Sequence, residues 1–290
     1  MRVDLCAVVL AAGYGKRLRP LTERVPKALC PVGNRPLLEH ALERLARLEL
    51  TGRETVAVNA CYLADQVVAQ VGDRAHRSVE PGPPLGTAGA LGNLKEWIAG
   101  RGVLVGNADA YLAPEPAEPG GSDLADLAGL LDGWDGTTVR LLGVPAAAGR
   151  GEFGGYCFAG FSLLPATDVA VLPAEPADLV RTTWRPAERA GRLEVIEYRG
   201  RYLDTGTPAD YLAANLHAAQ AAPDWNLIAP GAVITGRSEH SVIGANAVVA
   251  GAVTRCVVWP GARVEAGEGL IDAIRARDGS TVSASRAPVG

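Results

Sequence analysis

Apolar positions in this chain follow two rhythms. Leu5-Cys-Ala-Val-Val-Leu10 is a short continuous apolar run, which predicts a buried strand. Leu37 to Leu50 spaces its apolar residues as an amphipathic helix. Further strands are predicted at 54–59, Arg77–Glu80, Gly102–Gly106, Thr137–Val144 and Gly155–Leu164. Helices are predicted at about 62–71, from the Gly86 turn to near Gly100, and over 122–132. Residues 111–121 and 145–152 read as loops, and Pro173–Pro186 follows neither rhythm. Leu193–Tyr198 and Arg201–Leu203 read as a hairpin turning at Arg199-Gly200. Thr207 as N-cap and Pro208 at the first helical position open a helix to about Ala221. Alternating strands and helices of these lengths predict an α/β fold with a mostly parallel sheet. Ligands in such sheets sit at the carboxyl ends of the strands.

The tail changes rhythm. Ile228-Ala-Pro-Gly-Ala-Val, Ile243-Gly-Ala-Asn-Ala-Val and Val258-Trp-Pro-Gly-Ala-Arg recur at a spacing of fifteen. Ile234, Val249 and Val264 follow six residues after each start. An internal repeat of this kind predicts a parallel β-helix of about three coils. The pattern resembles the hexapeptide left-handed β-helix, and it is expected to serve packing or homo-oligomerisation. His240 is the tail's single histidine, which gives little ground for a second active site there. His40, His76 and His217 read as helix or surface residues.

Composition narrows the partners. At 290 residues with 48% hydrophobic content, the chain can bury a large core. A net charge of −4 and no long basic run argue against nucleic acid. No apolar run approaches membrane-spanning length, so no membrane partner is expected. The five cysteines are scattered and fit no metal or disulfide framework, and no signal peptide precedes the first strand. A cytoplasmic location is the expectation.

The candidate chemistry sits in LAAGYGKRLRPLTERVPKALCPVGNRPLL, Leu10 to Leu38. Gly13 and Gly15 let backbone amides approach an oxyanion, and Lys16, Arg17, Arg19 and Lys27 neutralise it. The spacing is neither the P-loop nor GxGxxG. On chemistry alone this is a phosphate-gripping loop or a solvated basic turn. The whole string, however, resembles the opening of the sugar-1-phosphate nucleotidyltransferases, LAAGxGxRLxPLTxxxPKxLxPVxxxPLL. One position departs: Lys16 stands where Thr or Ser is common.

The resemblance implies a Rossmann-like nucleotidyltransferase domain, placed at 1–222, before the β-helix and tail at 223–290. It implies NTP plus sugar 1-phosphate giving an NDP-sugar and pyrophosphate, with Mg²⁺. Arg17, with Lys16, would grip the β- and γ-phosphates, and Lys27 would lie between the α-phosphate and the sugar phosphate. Gly13 and Gly15 would hold the nucleotide by backbone contact. Asp109, in Val105-Gly-Asn-Ala-Asp109, and Asp204, in Tyr202-Leu-Asp-Thr-Gly-Thr-Pro208, match the metal carboxylates. By itself an Asp after a strand caps a turn. Asp210 and Asn215, in the helix that follows Asp204, read as structural.

Leu85-Gly-Thr-Ala-Gly-Ala-Leu91 resembles the base and ribose loop, with Gly86 and Thr87 on one edge of the base and Ala11 and Ala12 on the other. GTAGAL is most familiar from mannose-1-phosphate guanylyltransferases. Glu80 offers a carboxylate to the N1–H and N2–H₂ donors of guanine. Asn107, Glu152 and Gly160 are the sugar-binding candidates. The family's EKP segment is missing; Glu152 would replace its Glu, with Arg150 toward the phosphate. Gly151-Glu-Phe153 is similar to the GDF of N-acetylmuramate-1-phosphate uridylyltransferases, and Asn59 matches the NxHYLA turn of both subfamilies. GTP with mannose 1-phosphate is the favoured pair, and a uridylyl- or thymidylyltransferase is the alternative. A non-catalytic subunit sensing nucleotide sugars is the rival of another class; the retained Arg17, Lys27, Asp109 and Asp204 argue against it.

Overall fold

The computed structural model describes residues 4–114, 125–147 and 149–285. In chain order the strands are β1 (Leu5–Leu10), β2 (Pro31–Val32), β3 (Arg35–Pro36), β4 (Val56–Ala60), β5 (His76–Val79) and β6 (Gly102–Asn107). They continue as β7 (Ala110–Ala113), β8 (Val139–Pro145), β9 (Tyr156–Leu164), β10 (Leu193–Glu197) and β11 (Arg201–Asp204). The helices are α1 (Leu37–Arg47), α2 (Ala64–Val71), α3 (Gly86–Asn93), α4 (Lys95–Ile98), α5 (Ala125–Leu131), α6 (Ala166–Ala170), α7 (Arg185–Arg189) and α8 (Pro208–Ala219). Short paired strands follow between Leu227 and Ser283. The chain divides into two compact units.

The first unit holds the chain up to Tyr14 and Leu38–Tyr202. Its centre is a seven-stranded sheet in the order β10-β8-β9-β6-β1-β4-β5. β1 pairs in parallel with both β4 and β6, β4 with β5, and β8 with β10; β9 runs antiparallel to β6 and β8. Central position explains the apolar run of β1, since a strand covered on both faces has no polar face to alternate. Cys6 and Val8 pack with Leu91, Ile98, Val105 and Leu164 in one buried cluster. Burial pushes the Cys6 thiol up to about 11, so it stays protonated core filler.

Two expectations are corrected here. β10 lies at the sheet edge beside β8 alone, in parallel, with Leu193 opposite Val139. It therefore does not turn back into β11 as a hairpin. A parallel edge position needs a crossover, which the helical stretch ending in α7 supplies. The helix expected to run on to Gly100 breaks at Leu94 into α3 and α4. The loop expected at 111–121 lies in part outside the described residues, and its first residues form β7.

Pro173–Pro186, which the pattern left open, proves to be a strap. Ala88 N donates to Ala177 O at 3.1 Å and Ala177 N to Leu85 O at 2.9 Å. A single π-helical turn, Val180–Trp184, follows and leads into α7. The strap explains the small residues of α3. A Cβ on Gly89 would stand 2.2 Å from Glu175 O, and one on Gly92 would stand 2.1 Å from Pro173 O.

The second unit joins two distant stretches, Gly15–Leu37 and Leu203 onward. Its tail strands stack in three columns. One column holds Leu227–Ile228, Val242–Ile243, Val257–Val258 and Ala273–Arg275, all parallel, and closes with Thr281–Ser283 antiparallel. The others stack Val233–Ile234, Val248–Val249 and Arg263–Val264, and Arg237–Glu239, Ala252–Thr254 and Gly269–Ile271. Register steps by fifteen between the early coils, as the repeat requires, with Ile228 opposite Ile243 and Ile243 opposite Val258. The Thr207 side chain caps α8 by accepting from Asp210 N at 3.2 Å, and its hydroxyl donates to the Asp210 carboxylate at 2.6 Å. Asn215 is fully buried. Among the described residues no helix is long and apolar enough to cross a membrane, and the five cysteines are unpaired.

Gly92→Ala tests the strap. In an exposed helix the change would stabilise by about 1 kcal/mol. Here the new methyl meets backbone that cannot rotate away, so a net loss of about 1–3 kcal/mol is expected. Denaturant unfolding reads the sign directly.

Candidate functional site

The first unit carries one group of predicted residues along the carboxyl edge of its sheet. Register sets Leu10 opposite both Asn59 and Asn107, and Asn59 opposite Ser78. The ends of β1, β4, β5 and β6 are therefore level. A chain of hydrogen bonds runs along this edge. Ala11 N donates to Asn59 Oδ1 at 2.7 Å, and Asn59 Nδ2 donates to Glu80 Oε1 at 2.7 Å. Leu85 N donates to Glu80 Oε2 at 2.8 Å. Asn59 is 2% exposed and Glu80 3%. Each polar atom of this chain has a partner of opposite character, which a buried carboxylate and amide require.

This arrangement gives several predicted residues a second occupation. Glu80 ties the start of the Gly86 turn to Asn59, with one oxygen committed to each. Gly86 has a φ of +73°, and a Cβ there would meet Ala177 O at 2.5 Å. The Thr87 hydroxyl accepts from Leu179 N at 2.8 Å. Ala11 and Ala12 are almost fully buried, whereas Gly13 is exposed with nothing within 4 Å of a would-be Cβ. Asn107 and Asp109 are half-buried at the end of β6, where Ala108 N donates to Leu10 O at 3.1 Å.

The other sugar-side candidates lie in β9 and the turn before it. Glu152 is exposed; its carboxylate accepts from Phe158 N at 3.0 Å and its amide donates to Tyr156 O at 2.8 Å. Phe153 turns inward against Trp184, with the Arg185 guanidinium 4.2 Å over its ring. Gly160, at φ +83°, lets β9 press on Ala110, whose Cβ would be 2.3 Å from an added methyl.

The second unit carries the predicted cations. Short helical turns at Lys16–Leu18, Leu21–Glu23 and Lys27–Leu29 fold the loop, anchored by buried Leu18, Leu21 and Ala28. Gly15 sits at φ +61°, where Thr22 Oγ1 donates to its carbonyl at 2.8 Å. A Cβ on Gly15 would crowd Thr22 at 2.9 Å and Lys27 at 3.1 Å. Arg17 Nη2 stands 3.4 Å from Asp204 Oδ2, and Lys27 Nζ stands 3.5 Å from Asp204 Oδ1. The Lys27 side chain is only 10% exposed, against 68% for Arg17 and 46% for Asp204. Lys16 is exposed.

These ion pairs are long and partly solvated, so each contributes under about 1 kcal/mol. An arriving polyanion or cation displaces them at little cost. What the arrangement offers is two positive groups around one carboxylate, with an oxygen toward each. Gly206 belongs to it although sequence reasoning passed over it: a Cβ there would stand 2.6 Å from Arg17 Nη2. Asn59 was visible as a family turn but not as the hub it is. Of the four histidines, His40 meets Tyr111, His76 stacks on Trp97, His240 meets Trp225, and His217 lies in the last turn of α8. Among the described residues no cluster of three or more His, Cys, Asp or Glu could hold a metal by itself.

Comparison with known proteins adds the following. The family model described as nucleotidyl transferase matches residues 6–118. A mannose-1-phosphate guanyltransferase of Aspergillus oryzae is 30% identical over 269 residues, covering 84% of this chain and 71% of that protein. An N-acetylmuramate alpha-1-phosphate uridylyltransferase of Neisseria meningitidis is 35% identical over 109 residues, 36% of this chain and 46% of that one. A guanyltransferase of Aspergillus fumigatus is 44% identical over 102 residues, 27% of its length. The chain thus spans less than half of these last two relatives. In fold it is similar to a Bacillus anthracis structure described as a glucose-1-phosphate thymidylyltransferase with sucrose, at a TM-score of 0.61 and 18% identity, over 74% of this chain and 95% of that one.

The Asn59–Glu80 chain makes a prediction. Glu80→Gln sets an NH₂ against Asn59 Nδ2 or Leu85 N, and a loss of about 1–3 kcal/mol is expected. The double variant Asn59→Asp with Glu80→Gln reverses both polarities and restores every donor–acceptor match. It should recover most of the loss in thermal unfolding.

Proposed function

This chain belongs to the sugar-1-phosphate nucleotidyltransferase family, and we propose that it transfers a nucleotidyl group from an NTP to a sugar 1-phosphate, releasing pyrophosphate. The observation that carries this reading is the pair of cations, Arg17 and Lys27, held around Asp204 in a glycine-bearing loop. A phosphate monoester is largely dianionic at neutral pH, with a second pKa of about 6, so it attacks without a general base. Its oxygen forms a bond to the α-phosphorus while the bond from that phosphorus to the bridging oxygen breaks, and pyrophosphate leaves with the electron pair. The obstacle is the approach of an anion to a polyanion, which positioning and charge neutralisation overcome.

In this reading Arg17 and Lys16 hold the β- and γ-phosphates. Lys27 lies between the α-phosphate and the sugar phosphate. Asp109 and Asp204 would hold Mg²⁺. Carboxylate oxygens are the hard donors this ion takes, and it commonly uses one or two of them with water and substrate phosphates. When bound, the ion supplies further neutralisation of the phosphates. Gly13 and Gly15 approach the phosphates by backbone, while Ala11, Ala12, Gly86 and Thr87 frame the base. Glu80 lies under that frame. Asn107, Glu152 and Gly160 face the sugar.

GTP with mannose 1-phosphate is the favoured pair, supported by Leu85-Gly-Thr-Ala-Gly-Ala-Leu91 and by the guanyltransferases among the relatives. A uridylyltransferase is the second reading, supported by Gly151-Glu-Phe153 and the Neisseria relative. The nucleotidyltransferase domain is assigned to 1–222 and a left-handed β-helix with its tail to 223–290; the three columns and the fifteen-residue step support the coil. Homo-oligomerisation through the coil is supported by Trp225, Ile228 and Val233, each about half exposed. Unpaired cysteines support a cytoplasmic location.

The test is pyrophosphate release with four NTPs and several hexose 1-phosphates, with and without Mg²⁺. Release that needs both a sugar phosphate and Mg²⁺ is expected. Lys27→Ala should lower kcat by at least about 10²-fold, as loss of a group that stabilises developing charge does. No release with any pair, together with nucleotide-sugar binding, would point to the sensing subunit.

A further inference from the structure

The loop that carries Lys27 is tied at its far end to the tail of the chain. After the Lys27–Leu29 turn the chain makes a two-residue hairpin between β2 and β3, with Gly33 at φ +59° and Asn34 at φ +65°. Glycine would satisfy both positions of such a turn. What Asn34 adds is its side-chain amide, and Asn34 Nδ2 spends it on the tail. It donates to Leu227 O at 3.2 Å and to Ile243 O at 3.1 Å. These carbonyls belong to neighbouring strands of one column. One amide therefore spans two successive coils.

A second tie runs through α8. Tyr211 OH donates to Pro31 O and accepts from Trp259 Nε1 at 3.1 Å. Asn215, on the same helix, accepts from Gly33 N at 3.1 Å and donates to Pro31 O at 3.3 Å. Tyr211 is fully buried and Trp259 is 5% exposed. Burial holds the Tyr211 phenol well above its usual range, so it remains a donor. Pro31 stands four residues from Lys27, and Cys30 N closes the gap by donating to Lys27 O at 3.0 Å. Burial pushes the Cys30 thiol up to about 12, leaving a neutral neighbour there.

We propose that the C-terminal coil is a positioning element for the cation-bearing loop, with Asn34 and Trp259 as the residues through which it fixes Lys27. Here the coil supplies two backbone carbonyls directly to the segment that presents the lysine, and a buried indole N–H to the Tyr211 hydroxyl that bonds Pro31 of that segment. The catalytic half of the inference rests on the function proposed above; the positional half does not.

The chain has three lysines, Lys16, Lys27 and Lys95, which makes the test direct. Lys16 and Lys95 are exposed, and the Lys27 side chain is 10% exposed. The full chain is acetylated briefly with an N-hydroxysuccinimide ester, and each lysine is followed by mass spectrometry. Asn34→Gly keeps the backbone conformation and removes the amide; Trp259→Phe keeps an aromatic ring and removes the N–H. Each should raise Lys27 acetylation relative to Lys95 about fivefold, the factor that loss of one hydrogen bond implies. Arg263→Gln, which breaks an exposed coil pair with Glu265 and touches no loop residue, should change nothing. In pyrophosphate release the first two variants should lower kcat about fivefold with little change in KM for the NTP. A purely structural role would lower the melting point and leave kcat alone below it.

Unchanged Lys27 reactivity in both variants, with intact circular dichroism, overturns the proposal. So does a parallel rise at Lys95, which would mean general loosening. Raised reactivity with unchanged kcat overturns the catalytic half. Raised reactivity in a protein that releases no pyrophosphate with any pair supports the positional half and sinks the proposed function instead.

Discussion

A buried backbone amide must find an acceptor, and much of the carboxyl edge of the sheet follows from that demand at one residue. Ala11 leaves β1 almost fully buried, and its N–H takes the side-chain oxygen of Asn59. That fixes the Asn59 amide, whose N–H₂ then needs an acceptor of its own. Glu80 provides one oxygen, and its other oxygen takes the N–H of Leu85. Leaving any of these unmet would cost about 1–3 kcal/mol. Each bond that satisfies one group thus determines the next, from the end of β1 to the turn before α3.

The same demand separates what was legible in the sequence from what was not. β1 was plain because four of its six residues are fully buried and apolar. The tail repeat was plain because the early coils stack in register, so aliphatic side chains return every fifteen residues. The strap at 173–179 carries no periodicity because it bonds through its backbone to Leu85 and Ala88. Its imprint fell on α3, where Gly89, inside the stretch read as a ligand loop, and Gly92 just beyond it make room for carbonyls. β10 misled for a similar reason. Two short strands around Arg199-Gly200 look like a hairpin, and only the open edge beside β8 assigns the first of them elsewhere.

At the site, Arg17, Lys27 and Asp204 were legible as residues, and the structure joins them around one carboxylate. Gly206 was not, because its contribution is an absence of side chain beneath a guanidinium. Asn34 was not, because a polar residue in a turn needs no partner to justify it. Its significance lies in the two carbonyls it reaches, some two hundred residues away in the sequence.

That distance has a consequence for how the protein is made. The second unit is spliced from Gly15–Leu37 and the region beyond Leu203. Pro31 is bridged by Tyr211, and Tyr211 in turn by Trp259. During synthesis the loop leaves the ribosome early, yet its anchors do not exist until most of the chain has followed. Contacts of such long range close late in folding. The segment that carries the lysine therefore waits for its last hydrogen-bond partners until most of the chain has been made. On the proposal above, Lys27 reaches its set position only once the stretches that carry Leu227, Ile243 and Trp259 have formed.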